Sequence, residues 1–248
     1  MSWLVQFFVA VCWLGVALAP AAAPAEELPF ACGMAKGYPP YQFLDDQGEP
    51  AGLDVEVARL IFDRLGVRGR MVPGAWDDVV ANLRLGRLDC VCGMEINRAR
   101  MNFFAFTEPY YSRKVVIFLR RDETGIRSVD DLVGKAVAGD RHSYVEWDLR
   151  ERGLLNLIRI VKTKSKEQSV RMLKEGKVVA VIAPLAVGRF LADREDMDLR
   201  VMDVGDPGSP VGFAVEKGNT AFLQDLEKAL GAIKREGALQ PVLDRWLR

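Results

Sequence analysis

Only a handful of residues in this chain are equipped for chemistry: the single histidine, His142, four cysteines, and a polar segment that gathers Glu95, Arg98 and Arg100. A guanidinium can grip a carboxylate through two parallel charge-assisted hydrogen bonds, which fixes orientation as well as binding energy. Arg98 and Arg100 therefore suit an anionic ligand, and without further context they suit a solvated loop equally well. Glu95, on the approach to Arg100, can pair with it and order that loop. His142 makes no metal site alone, since zinc takes about four ligands. Cys90 and Cys92 alternate along an apolar run and share one strand face, but a C-x-C pair with no further Cys or His nearby has poor zinc spacing and reads as buried packing. In an oxidising compartment Cys32 can pair with Cys90 or with Cys92, leaving one thiol over. No Ser-His-Asp or Cys-His constellation surrounds Glu95, so no catalytic residue, cofactor or metal is expected.

Elements must position these groups. From Gly52 the sequence GLDVEVARLIFDRLG repeats Val57, Ile61 and Leu65 every four residues, with Leu60 on the same stripe, which predicts an amphipathic helix closed by Gly66. From Trp76 a helix-like WDDVVANLRLG feeds the short apolar run LDCVCG, and a comparable unit, SVRMLKEGKVVAVIAP, passes from helix to buried strand later in the chain. Ser143 with Glu146, and Ser165 with Gln168, have the spacing of capping boxes and predict helix starts just after each serine. Leu223, Leu226, Leu230 and Ile233 mark a final amphipathic helix over residues 220–237, followed by a shorter one ending at Trp246 and Leu247. Strand-helix alternation of this density predicts an α/β architecture with parallel sheets. In such sheets ligands sit beyond the carboxyl ends of the strands, at helix N-termini. That directs attention to residues 34–41, 93–100 and 140–144.

Length and charge bound the function. The 34 basic and 34 acidic residues cancel, supplying no electrostatic footprint for nucleic acid or for an anionic membrane surface. Residues 1–25 hold no Asp, Glu, Lys or Arg, and the apolar run over 3–19, broken by Gln6 and Gly15, is short for a membrane span. Ala23-Pro24-Ala25 following Pro20 predicts a signal peptide cleaved before Glu26. A secretory leader normally opens on Lys or Arg, absent here, so retention as an anchor stays the alternative. Val11 before Cys12 does not fit a lipoprotein site. The remaining chain, about 220 residues, can form one large domain or two lobes of roughly 100 each.

A set of ordered segments narrows this further: Tyr38-Pro-Pro-Tyr41; Gly52-Leu-Asp-Val-Glu56; Trp76 with Leu83, Gly86 and Asp89; Arg100 before Phe106-Thr-Glu-Pro-Tyr110; Asp131-Leu-Val-Gly-Lys135; and Gly212-Phe-Ala-Val-Glu-Lys-Gly-Asn219. No one segment is specific, but their order and spacing across nearly all of the mature chain resemble extracellular solute-binding family 3, the polar amino-acid-binding type of periplasmic solute-binding protein. The resemblance implies a two-lobed type II periplasmic-binding-protein fold with a hinge between lobes and closure around ligand. It implies a first lobe of residues 26–112 plus 211–248, a second of 113–210, and crossings near 111–116 and 205–212.

It also implies roles. Arg100, six residues before Phe106, matches the carboxylate-binding arginine, whereas Arg98 stands where the family is variable. Tyr38 and Trp76 match aromatic walls that flank the bound side chain and can face a cation. Ser143 matches a serine at a helix N-terminus, with His142 where glycine is usual, and Tyr144, Gly93 and Met94 complete the candidate ligand-binding set. Ala35 and Pro184 stand where acidic residues usually neutralise a ligand ammonium. Glu95 can supply the missing carboxylate or pair with Arg100. The implied function is periplasmic binding of a small carboxylate-bearing solute, an amino acid or relative, by a monomer that delivers it to the membrane permease of an ABC importer. The alternatives are a sensor for a membrane receptor and an enzyme resembling cyclohexadienyl dehydratase, which would call for an acid where Pro184 stands.

Overall fold

The computed structural model describes residues 30–139 and 143–247, so the expected leader over residues 1–25 and His142 lie outside the described residues. The chain opens with strand β1 (Phe30–Ala35), then a three-stranded antiparallel hairpin unit of β2 (Gly37–Tyr38), β3 (Gln42–Leu44) and β4 (Pro50–Ala51). Helix α1 (Leu53–Leu65) follows, with Val57, Ala58 and Ile61 fully buried as the four-residue repeat requires. Gly66 ends it in the left-handed conformation, φ 67°, donating its N–H back to the last turn. Next come β5 (Gly69–Gly74), α2 (Trp76–Arg84), β6 (Cys90–Glu95), the single turn α3 (Arg98–Met101), β7 (Phe104–Phe106) and β8 (Tyr111–Arg113).

From there the chain builds a second sheet with β9 (Val115–Arg120), β10 (Ala136–Gly139), α4 (Tyr144–Glu151), β11 (Arg159–Val161), α5 (Lys166–Lys174), β12 (Ala180–Pro184), α6 (Leu185–Arg194) and β13 (Leu199–Met202). It returns through β14 (Ser209–Glu216) and finishes with α7 (Thr220–Arg235) and α8 (Leu239–Trp246). The capping serines sit where their spacing places them: Ser143 Oγ accepts from Glu146 N at 3.2 Å, and Ser165 Oγ from Gln168 N at 3.2 Å.

The first sheet has the order β5-β1-β6-β14-β7, with β8 also on β14; the second has β11-β10-β12-β9-β13. Both are mixed, which corrects the expectation of parallel sheets. β5, β1 and β6 run parallel, as do β11, β10 and β12, but β14 and β9 are antiparallel to their neighbours. The physical reason is connectivity. Helical crossovers return the chain parallel, whereas β9 and β14 enter their sheets directly from the other sheet, with no crossover helix to reverse them.

The chain thus passes between two lobes twice, at Lys114 and at residues 203–208. Asp206, 6 % exposed, ties the two passages together by accepting from Val115 N at 2.7 Å and from Gly208 N at 2.8 Å. Lys114 Nζ reaches Asp203 at 2.7 Å across the same pair. Leu53, Ile61, Phe213, Leu226 and Leu230 belong to a core cluster of the first lobe that continues into Val187 and Leu191 of α6, and Ile117, Leu119, Leu132, Val137 and Leu149 form a core within the second. Phe190 of α6 meets Phe43 of β3 at 5.7 Å between ring centroids, so the lobes also touch away from the crossings.

Candidate functional site

The carboxyl ends of the parallel strands face one another across a cleft of about 570 Å³, a size that suits a small molecule. Ala35 ends β1, Gly74 ends β5, Glu95 ends β6 and Pro184 ends β12, and all four line the cleft. Helices begin where those strands stop, so the N-terminal residues of α2 and α4, Trp76 and Tyr144, line it too, together with the cap Ser143. The architecture therefore brings helix N-termini and strand ends to one place, which suits an anionic group.

Arg100 enters from α3, a turn fixed by the Asn97 cap, whose Oδ1 accepts from Arg100 N at 2.9 Å. Its Nη1 donates to the backbone carbonyl of Glu95 at 2.9 Å, and its guanidinium lies 5.5 Å from the Trp76 ring centroid. Burial lowers its pKa while the charge of Glu95 works the other way. Held by one carbonyl and one ring face, the half-buried guanidinium keeps donors for a ligand. Arg98, on the same turn, is exposed and off the cleft.

Glu95 does not form its side-chain ion pair with Arg100. Its carboxylate lies 3.4 Å from Nη1 of Arg113, a residue that sequence reasoning missed. Arg113 is 5 % exposed at the end of β8, with Nη2 2.5 Å from Tyr111 Oη, 3.5 Å from the Gly93 carbonyl and 3.8 Å from Asp54 Oδ2. The rings of Tyr41, Tyr38 and Tyr111 surround its guanidinium at 4.2, 5.0 and 5.6 Å. Its signal was faint: Tyr111, Arg113 and Val115 alternate along an extended segment, so the arginine shares a face with apolar neighbours, but period-two patterns do not say what lies opposite.

Beneath Arg113 lies a polar layer. Asp54 is fully buried, and accepts from Tyr110 Oη at 2.5 Å, Gln42 Nε2 at 2.8 Å and Tyr111 Oη at 3.3 Å. Burial pushes its carboxyl up from the usual range, against the opposing pull of Arg113 and of those hydrogen bonds. Gln42 bridges the strand ends by accepting from Ala35 N at 2.6 Å and donating to the Cys92 carbonyl at 2.9 Å. Gly93 has φ 66°, and a Cβ there would stand 1.9 Å from Asp54 Oδ2. Only glycine lets that strand end approach the layer so closely. Burial also pushes Tyr41 up to about 12, so its hydroxyl stays neutral.

Of the sequence candidates, Arg100, Trp76, Tyr38, Ser143, Glu95, Gly93 and Tyr144 line the cleft. Met94 does not: its side chain is fully buried in the core with Val91 and Phe104, because alternation along β6 turns it away from Gly93 and Glu95. His142 lies outside the described residues. Beside Arg113, sequence reasoning missed Gln42, Val115, Asp206 and Ser209, which line the cleft at the base of the hairpin unit and at the crossings. Cys32, Cys90 and Cys92 are free, buried and away from the cleft lining. Burial raises the Cys92 thiol well above its ordinary value. Among the described residues no cluster of His, Cys, Asp and Glu forms a metal site, and no helix is long and apolar enough to cross a membrane.

Comparison with known proteins gives consistent results. The family model described as bacterial extracellular solute-binding proteins, family 3, matches residues 30–248. ABC transporter arginine-binding protein 1 of Escherichia coli (strain K12) is 28% identical over 233 residues, covering 91% of this chain and 92% of that one. A histidine kinase sensor domain with similarity to periplasmic binding proteins superposes with a TM-score of 0.76 at 27% identity, covering 88% of this chain and 96% of the other. An ancestral amino-acid-binding protein, a precursor of cyclohexadienyl dehydratase, superposes with a TM-score of 0.77 at 25% identity, over 89% of this chain and 96% of its own.

Proposed function

Because the chain belongs to the bacterial extracellular solute-binding proteins, family 3, we propose that it captures a small carboxylate-bearing solute, an amino acid or close relative, between its lobes and delivers it to the permease of an ABC importer. It acts in the periplasm, as a monomer, and leaves the solute chemically unchanged. We assign the hinge to the two passages joined by Asp206 and set the lobe boundaries there, which shifts the expected 113–210 boundary of the second lobe inward by one residue at its start and two at its end, since Arg113 and Ser209 pair within the first sheet. The carrying observation is Arg100: half-buried at a strand-end cleft, backed by the Trp76 ring and the Glu95 carbonyl, with donors left for a carboxylate. Tyr38 and Trp76 wall the side chain of the solute, and Ser143 with the first turn of α4 closes on it from the second lobe. The arginine-binding relative, itself part of an ABC transporter, supports the transport role.

The likeness to a histidine kinase sensor domain favours a second reading, in which the closed form is handed to a membrane receptor. An enzymatic reading has less support. The cyclohexadienyl dehydratase precursor is itself an amino-acid-binding protein, and the end of β12, where an acid would be needed, is Pro184.

A thermal-shift screen of the protein against amino acids, their deaminated analogues and dicarboxylates tests the binding reading. A ligand at about 100 times its dissociation constant adds about 2.7 kcal/mol of stability. If no member of these classes shifts the transition, the reading fails. Aromatic product appearing from prephenate or arogenate would replace it with an enzyme.

A further inference from the structure

We propose that the solute is a short dicarboxylic acid, its two acid groups divided between Arg100 and Arg113, and that cationic side chains are rejected. This rests on the carboxylate-binding reading of the cleft and names the chemistry of its second group.

Two tyrosine rings, Tyr41 and Tyr38, within 5.0 Å of a guanidinium carbon, and the hydroxyl of a third, Tyr111, against it, are the surroundings of a bound cation. Here the cation is the protein's own Arg113, so the cage that a ligand ammonium or guanidinium would seek is already filled. Arg113 is also poorly paired for a buried charge. Charge-assisted N–H···O bonds run about 2.7–2.9 Å, yet its distances to Glu95, the Gly93 carbonyl and Asp54 are 3.4, 3.5 and 3.8 Å. Its Nε is buried with no hydrogen-bond partner, and only the Tyr111 hydroxyl, at 2.5 Å, is close.

The neighbouring acids have other commitments. Asp54 already accepts from Tyr110, Gln42 and Tyr111, and Asp206 accepts from two backbone N–H groups at the crossings. Of the described residues lining the cleft, Lys36, Arg100 and Arg113 are cationic and Glu95 and Asp206 are anionic. Ala35 and Pro184 present apolar surface at their strand ends. Among the described residues, an entering cation meets two guanidinium groups, a Glu95 already turned to Arg113 and an Asp206 bonded to two backbone N–H groups, whereas a second carboxylate supplies the close acceptor that Arg113 lacks.

The experiment is isothermal titration of the protein with glutarate, L-glutamate, succinate, L-aspartate, L-glutamine and L-arginine. Glutamate and glutamine have nearly the same shape, so their ratio reads the second charge. The best diacid should bind at least about 100-fold tighter than L-glutamine, and L-arginine should give no saturable heat at about 1 mM, near the weak end of the affinity scale. Arg113→Gln should bring the diacid-to-glutamine ratio to about 1, and Arg113→Lys should recover part of it, since an ammonium keeps charge without the planar fork. L-glutamine or L-arginine binding as tightly as every diacid overturns the proposal, as does an unchanged ratio in folded Arg113→Gln. If that variant does not fold, the wild-type ratio decides alone. Tight L-arginine binding that is lost in Arg100→Ala would overturn this proposal and leave the carboxylate-binding reading standing. Silence toward all six ligands and toward the wider screen overturns both.

Discussion

At the scale of single residues the site divides into a group that meets ligand and groups that hold the floor beneath it. In the binding reading proposed above, Arg100 is of the first kind. Arg100→Ala strands a ligand carboxylate in a poorly hydrated cleft, and truncating one member of such a charge pair costs about 2–5 kcal/mol. At about 1.4 kcal/mol per decade, affinity should fall roughly 30-fold to several thousand-fold, with the unfolding transition unmoved. Calorimetry that finds near-wild-type affinity would remove Arg100 from the centre of the site. Gly93 is of the second kind. With φ 66° and a Cβ position 1.9 Å from Asp54 Oδ2, Gly93→Ala combines left-handed strain of about 1–2 kcal/mol with overpacking of about 1–3 kcal/mol. Urea unfolding should show a loss of about 2–5 kcal/mol; a loss under about 0.5 kcal/mol, the ordinary surface range, would mean that the layer below is soft. Glu95 turns its carboxylate to Arg113 and only its carbonyl to Arg100. Glu95→Gln should therefore change the affinities for L-glutamate and for glutarate by the same factor; a loss confined to the amine-bearing ligand would make Glu95 the ammonium partner instead.

At the scale of elements, Asp206 joins the two passages through bonds of 2.7 and 2.8 Å to Val115 N and Gly208 N. A carboxylate that satisfies two backbone donors from two crossing segments holds their spacing more tightly than either segment could alone. Hydrogen bonds to a charged group contribute about 1.5–3 kcal/mol each, and water can replace part of that once the side chain is gone. Asp206→Ala should cost about 1–3 kcal/mol of stability on this scale and should speed amide exchange at Val115 and Gly208 ahead of the strand cores. Uniform exchange across β8 and β14 would show that the ladder, rather than Asp206, sets the crossing.

At the scale of the whole molecule, two lobes joined by two short passages can rotate about them, and a ligand held from both sides favours the closed form by its differential affinity. Small-angle scattering should give a smaller radius of gyration with the ligand identified by titration than without it. The contact of Phe190 with Phe43 between lobes bounds that change, because packing away from the hinge already holds the lobes near each other. An unchanged profile at saturation would count against hinged closure.

How much of this was legible in the sequence depended on the range of the interaction. The four-residue repeat of Val57 and Ile61 and the capping serines 143 and 165 are local signals, and the structure carries each of them. The order of segments across the chain pointed to the family and the two lobes. Pairing across the fold was not legible. Whether Glu95 faces Arg100 or Arg113, whether Met94 points to the cleft or the core, and whether β9 and β14 run parallel or antiparallel were decided by sheet registers that join residues more than 50 positions apart. Arg113 shows the same limit most sharply. Its partners Tyr38, Tyr41 and Asp54 lie 59 or more positions away, and the alternation of Tyr111, Arg113 and Val115 does not announce them. Local sequence determined where helices start beyond strand ends; only tertiary packing determined which charge lies at the bottom of the cleft, because that charge is fixed by neighbours 59 or more positions away.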